Sequence, residues 1–155
     1  MPEQPLVLIT GGGTGGHVFP GLAAAAELVA CGARVHWLGT RSGMEARLVP
    51  AAGIALDFLD TSGVRGKRHR EQLLLPLRLL RAVVQALRLL WRLRPSCVLG
   101  TGGFVAGPGG LAAWLLRVPV VVHEQNAIAG TTNRLLARLA QRILSIIGGR
   151  PVTQG

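Results

Sequence analysis

Leu6-Val7-Leu8-Ile9-Thr10-Gly11-Gly12-Gly13-Thr14-Gly15-Gly16-His17 decides the fold. An apolar run of strand length passes straight into a glycine-rich turn and then into a segment of helical period. The same arrangement returns at Cys97-Val98-Leu99-Gly100-Thr101-Gly102-Gly103-Phe104, and its glycine-rich part runs on through Gly107, Pro108, Gly109 and Gly110. Glycine admits positive φ and lets a ligand approach the main chain, while the helix that follows offers unpaired N–H groups and a positive dipole end to an anion. Two such turns imply two phosphate or diphosphate cradles, or one cradle built from both.

Working outward, strands are expected over residues 6–10, 34–38, 55–59, 97–101, 120–124 and 142–146. Helices are expected over residues 17–30, 44–52, 73–93, 110–117 and 131–140, with Pro76 in the first turn of the third. Leu6-Val7-Leu8-Ile9 and Val118-Pro119-Val120-Val121-Val122 are apolar on both faces, as strands covered by helices on both sides must be. The alternation specifies an α/β fold, a Rossmann-like doubly wound parallel sheet whose ligands sit at the C-terminal strand ends. Both glycine turns fall there. Residues 1–147 are read as this domain and residues 148–155 as a linker-like tail.

At 155 residues and 49% apolar, the chain buries roughly 70% of its unfolded surface as one domain and needs no staples. Cys31 and Cys97 lack metal-like spacing and read as buried thiols in a reducing compartment. No basic-then-apolar leader precedes the first strand, which places the protein on the cytoplasmic side. Seventeen Lys and Arg against seven Asp and Glu give a net charge of +10 and favour anionic partners. With 4% aromatics, no Tyr, no helix-turn-helix pattern and no zinc spacing, nucleic acid is not an expected partner.

Gly11, Gly13 and Gly16 satisfy the dinucleotide fingerprint, but the second strand ends Leu38-Gly39-Thr40-Arg41 with no acid to hold a ribose. NAD is disfavoured, and an NADP-binding oxidoreductase with Arg41 near the 2′-phosphate is the alternative from a different class. No Gly-Lys-Ser/Thr follows either turn, so the phosphate-loop pattern is absent. His17 stands where a helix N-terminus disfavours imidazolium, either as a general base or as a ring that hydrogen-bonds the turn. His123-Glu124-Gln125-Asn126 closes the fifth strand at the same edge. These four polar residues either line the cleft or, through Glu124 and Asn126, pin the next loop; Thr132 and Asn133 read as caps of the helix beyond.

Arg78, Arg81, Gln85, Arg88 and Arg92 recur at helical spacing and form one polar stripe of roughly 80° on an otherwise apolar helix. Leu80, Val84 and Trp91 flank that stripe, and Trp114 is expected to join the surface. The pattern is that of a helix lying in a membrane interface, with cations meeting anionic lipid, or of a crossover helix with a solvated arginine edge. The charges interrupt the run too often for a transmembrane span. The run Lys67-Arg68-His69-Arg70 reads as an exposed loop, solvated or in contact with an anion.

Gly11 to Pro20, Gly100 to Pro108, and His123-Glu124-Gln125-Asn126 followed by Gly130-Thr131-Thr132-Asn133 together resemble the N-terminal domain of the MurG family over roughly residues 5–146. The resemblance implies the N-terminal half of a GT-B glycosyltransferase that moves N-acetylglucosamine from UDP-GlcNAc to the 4-hydroxyl of lipid I, with inversion, to give lipid II in peptidoglycan synthesis. It implies His17 as the general base. Thr14, Gly15, Gly16, Gly102, Gly103, Glu124, Gln125 and Asn126 become substrate-binding candidates, and Leu80, Arg81, Val84, Arg88, Trp91 and Trp114 the membrane surface. No cofactor and no metal are implied. The expected partners are lipid I, an anionic membrane on its cytoplasmic face, and UDP-GlcNAc held mainly by a C-terminal domain that these residues do not include. Alone, the chain is expected to lack transferase activity, as a fragment or as the acceptor-binding subunit of a split enzyme.

Overall fold

A computed structural model of the chain describes residues 3–60, 74–125 and 130–145. The opening apolar run is strand β1 (Leu6–Gly11), buried at every position. It is followed by α1 (Gly15–Ala30), β2 (Arg34–Thr40), α2 (Glu45–Ala51), β3 (Ala55–Leu59), α3 (Leu75–Leu93), β4 (Cys97–Gly102), α4 (Ala106–Leu115), β5 (Val120–Glu124), α5 (Thr131–Ala137) and β6 (Arg142–Ser145). The six strands form one parallel sheet in the order β3-β2-β1-β4-β5-β6. This is the doubly wound order, and its direction reverses between β1 and β4. Those are the two strands that end in glycine turns, so the switch point brings the turns side by side.

Successive side chains of β1 explain why it carries no polar alternation. Leu8 packs with Leu38, Leu59, Ala82, Ala86, Leu90, Val98 and Val122 beneath α3, α4 and α5. Val7 and Ile9 point the other way and pack with Ala25, Trp37, Val49 and Leu99 beneath α1 and α2. Leu8 and Ile9 are both 0% exposed. Each contributes about 1.5–3 kcal/mol of burial, so a polar residue at either would cost one of the two layers.

Three expectations are corrected. Helix α4 begins at Ala106 rather than at 110, so Gly107 to Gly110 are helical and the second turn ends sooner. The reason is packing: a Cβ on Gly109 would stand 2.6 Å from Thr10 Oγ1, and one on Gly110 would overlap the Leu136 side chain. Without side chains there, α4 lies directly on β1 and α5. Cys31 is exposed, as the residue that ends α1, whereas Cys97 is partly buried and burial pushes its thiol above the ordinary value. Finally, Gly130 holds the N-cap position of α5 and no side chain caps it. Pro76 is the second residue of α3, as its fixed φ favours. The basic run at 67–70, Asn126 and the tail at 148–155 lie outside the described residues.

Candidate functional site

The two glycine turns make one wall. Gly12 N–H donates to the Gly102 carbonyl at 3.3 Å. A Cβ on Gly103, whose φ is +81°, would overlap the carbonyl oxygen of Gly12. Gly102, at φ +112°, lies against the imidazole of His17, where a Cβ would stand 2.5 Å from Nδ1. Main chain thus packs on main chain, and the two turns meet side by side rather than standing apart.

His17 stands in the first turn of α1, half-buried against that wall. Its Nδ1 is 3.0 Å from the Thr101 carbonyl oxygen. A carbonyl only accepts, so with the proton on Nδ1 this contact is a hydrogen bond and the lone pair stands on Nε2. With one nitrogen tied to the scaffold, the other is free in direction to meet a substrate proton.

Gln125 reaches the same wall from the third segment. Its Nε2 donates to the carbonyl of Gly16, is 3.4 Å from the Thr101 carbonyl and 2.9 Å from His17 Nδ1. The Gly16 carbonyl is available because the residue one turn ahead is Pro20, inside α1, which has no N–H to give it. Oε1 of Gln125 in turn lies 3.3 Å from His123 Nδ1. Three separated motifs therefore converge on one imidazole.

Glu124 is 6% exposed and accepts from Asn133 Nδ2 at 2.8 Å and from Gly130 N–H at 3.3 Å. It anchors the start of α5, the second of the two roles open to it in the sequence. Asn133 is likewise a buried partner of Glu124 rather than a cap. Thr14 and Gly16 are exposed and Gly15 is half-buried, so the outer edge of the first turn faces solvent. Sequence reading missed Glu45, which stands fully buried behind this turn. Its signal, glycines at 12, 39 and 43, is visible only once the chain is folded.

On α3, Leu77, Leu80, Arg88 and Trp91 are exposed and Val84 is half-buried. At 100° per residue these five occupy an arc of roughly 80° along the helix. Trp114 is 49% exposed on α4, the helix packed beside α3. The arginine stripe is corrected in part. Arg81 pairs with Asp60 at 3.3 Å and Arg92 with Asp57 at 2.9 Å, while Gln85 bonds both the main chain and the carboxylate of Asp60. Three of the five stripe residues thus tie α3 to β3 and to Asp60 just beyond it. Between α3, α4 and α5 runs an apolar groove of about 310 Å³ lined by Leu79, Phe104, Pro108, Leu111, Leu135 and Leu139. Phe104, next in sequence to Gly103, is one of its walls. No helix among the described residues is long and apolar enough to cross a membrane.

Residues 7–145 match the model of the glycosyltransferase family 28 N-terminal domain. The chain belongs to this family. It is 55% identical over 143 residues to the Aeromonas hydrophila UDP-N-acetylglucosamine--N-acetylmuramyl-(pentapeptide) pyrophosphoryl-undecaprenol N-acetylglucosamine transferase, and 56% identical over 143 residues to the Yersinia enterocolitica transferase of the same name. In both cases 92% of this chain aligns with 40% of the relative, so the chain spans about 40% of the length of the curated relatives it matches. The crystal structure of Acinetobacter baumannii MurG superposes with a TM-score of 0.81 at 42% identity, over 97% of this chain and 43% of that one. UDP-GlcNAc 2-epimerase from Neisseria meningitidis shares the fold, with a TM-score of 0.64 at 17% identity over 90% of this chain and 39% of that one.

The expected resemblance and the α/β, GT-B-type fold are thereby shown, and the oxidoreductase alternative is set aside. Arg41, the residue that alternative required for a 2′-phosphate, stacks on Phe58 with its guanidinium carbon 4.7 Å from the ring centroid.

Proposed function

We propose that this domain is the acceptor-binding half of an inverting N-acetylglucosaminyltransferase, taking GlcNAc from UDP-GlcNAc to the 4-hydroxyl of a muramyl sugar carried on a lipid diphosphate. One observation carries the reading: His17 sits on the wall formed by both glycine turns with Nδ1 3.0 Å from the Thr101 carbonyl, the contact that a proton on Nδ1 makes and that leaves Nε2 to act as the base. In this reaction Nε2 takes the proton of the acceptor hydroxyl, the hydroxyl oxygen forms a bond to the anomeric carbon, and the bond from that carbon to the UDP oxygen breaks on the opposite face. UDP leaves with the electron pair, and the anomeric configuration inverts. The Thr101 carbonyl, already accepting from Nδ1–H, steadies the imidazolium that results.

The rest of the site fits an acceptor with one charged and one apolar part. The N–H groups at the start of α1 and α4 are suited to a diphosphate. The apolar groove that begins at Phe104 suits the first part of a hydrocarbon chain. The exposed stripe of Leu77, Leu80, Arg88 and Trp91, with Trp114 beside it, suits an anionic membrane surface on its cytoplasmic face. Thr14, Gly15, Gly16 and Asn126 remain candidates for the sugar nucleotide or the acceptor, with the greater part of UDP-GlcNAc held by a second domain.

Co-sedimentation of this domain with anionic vesicles, with and without lipid I, tests the reading. Lipid I is expected to increase the bound fraction. Binding that is the same with and without lipid I would leave a membrane-surface protein with no acceptor site.

A further inference from the structure

Glu45 opens α2 and is fully buried, yet the reaction outlined above gives it nothing to do. A carboxylate survives away from water only when donors surround it. Here Oε1 accepts from Thr40 N–H and from the Thr40 hydroxyl, each at 2.8 Å, and Oε2 accepts from Gly13 N–H at 3.0 Å. Space for it comes from three glycines. A Cβ on Gly39 would stand 2.5 Å from Glu45 Cγ, and a Cβ on Gly12 or Gly43 would overlap the carboxylate itself.

Two of these bonds close the corner between β2 and α2, on which Glu45 itself stands. The third crosses to the functional turn, 32 positions earlier in the chain. A carboxylate that only closed its own corner would have no need of Gly13. At φ +91° Gly13 turns its N–H inward to Glu45. The carbonyl of the next residue, Thr14, accepts from His17 N–H and Val18 N–H, both at 3.1 Å. The setting of Gly13 is therefore passed through Thr14 to the first turn of α1 and to His17.

We propose that Glu45 is a positioning residue for the transfer: by holding Gly13 N–H from behind, it sets the angle of the first glycine turn and so the place of His17 Nε2 against the acceptor hydroxyl. It also removes Gly13 N–H from the donors offered to an anion, leaving those of Gly15 and Gly16, the first two helical residues, to face the substrate. This rests on the reading of His17 as the base.

Two substitutions separate positioning from mere support. Glu45→Gln keeps the size of the side chain and its bonds to Thr40, but sets an amide N–H₂ against Gly13 N–H, so the turn must move. Thr40→Val removes the hydroxyl bond to the same carboxylate and leaves Gly13 held. In the domain joined to a donor domain, Glu45→Gln is expected to lower kcat by about 10-fold or more with a smaller change in KM, while Thr40→Val stays within about twofold of wild type. In the isolated domain, amide exchange at Gly13 is expected to be faster in Glu45→Gln and unchanged in Thr40→Val. Equal kcat losses in the two variants, or Gly13 exchange unaltered by Glu45→Gln, would overturn the proposal. If the wild-type two-domain enzyme transfers no sugar, the reading of the reaction fails, and Gly13 exchange still decides whether Glu45 holds the turn.

Discussion

The side-chain amide of Gln125 occupies the place that Pro20 leaves open in α1, donating to the Gly16 carbonyl that a residue with an N–H at position 20 would have bonded. A helix defect and a loop side chain are thus complementary, and His17, next to Gly16, lies beside both, 2.9 Å from the amide nitrogen. Pro20→Ala restores the main-chain donor and frees the amide of Gln125. That change is expected to stabilise α1 by about 0.5–1.5 kcal/mol, and Gln125→Ala is then expected to cost about 1 kcal/mol less than it does beside Pro20. Denaturant unfolding of the two single variants and the double variant measures the coupling. Additive costs would show that the amide and the proline are unrelated.

Gly102 and Gly103 both take positive φ, so alanine at either is strained by about 1–3 kcal/mol. Their surroundings separate them. A Cβ on Gly103 meets the Gly12 main chain, which cannot give way without moving the wall. One on Gly102 meets the His17 ring, which can swing aside. Gly103→Ala is expected to unfold at lower denaturant than Gly102→Ala, whereas in the two-domain enzyme Gly102→Ala is expected to fold and lose turnover by displacing the base. Turnover of Gly102→Ala close to wild type would argue against His17 acting from this position.

Much of this was legible in the chain because β1 declares itself. Leu6 to Ile9 is apolar on both faces and ends in glycine, which admits few elements other than a central parallel strand at a ligand edge. The helix start at Ala106 was not legible, since Gly107, Gly109 and Gly110 read locally as turn residues, and only the closeness of Thr10 and Leu136 shows why a helix needs them. Glu45 was not legible, because its partner Gly13 becomes its neighbour only when β1 and β2 pair. The arginine stripe read as free cations for the same reason: Asp57 and Asp60 meet Arg92 and Arg81 across β3 and α3, at sequence separations that periodicity does not register.

That pairing separates arginines that the sequence alone treats alike. Arg92 is bonded to Asp57, whereas Arg88 makes no ion pair among the described residues and stands in line with Leu80 and Trp91. A basic side chain near an anionic surface contributes about 1 kcal/mol, so Arg88→Gln is expected to weaken binding to anionic vesicles by about fivefold. Arg92→Gln is expected to weaken it less. Co-sedimentation at fixed salt measures both, and equal losses would mean that Asp57 does not hold Arg92 from the lipid.

The interfacial side chains admit a separate check. Leu80→Gln and Trp91→Gln remove exposed apolar surface without opening a cavity, since these residues are 60% and 69% exposed. Each is expected to lower vesicle binding while changing the unfolding free energy by no more than about 0.5 kcal/mol. Vesicle titration beside denaturant unfolding of the same variants separates the two effects, and a large loss of stability would place the residues in the core.

His17 is where these relationships meet, and its removal tests them most directly. The measurement is kcat for N-acetylglucosaminyl transfer to lipid I by the domain joined to a donor domain, wild type against His17→Ala, with the unfolding midpoint of each. A general base contributes about 10²- to 10⁴-fold, so turnover is expected to fall by that factor while the midpoint stays close to wild type. Near-normal turnover in a folded His17→Ala enzyme would contradict the assignment of the base, and the glycine wall and Glu45 would then be holding a side chain that performs no chemistry.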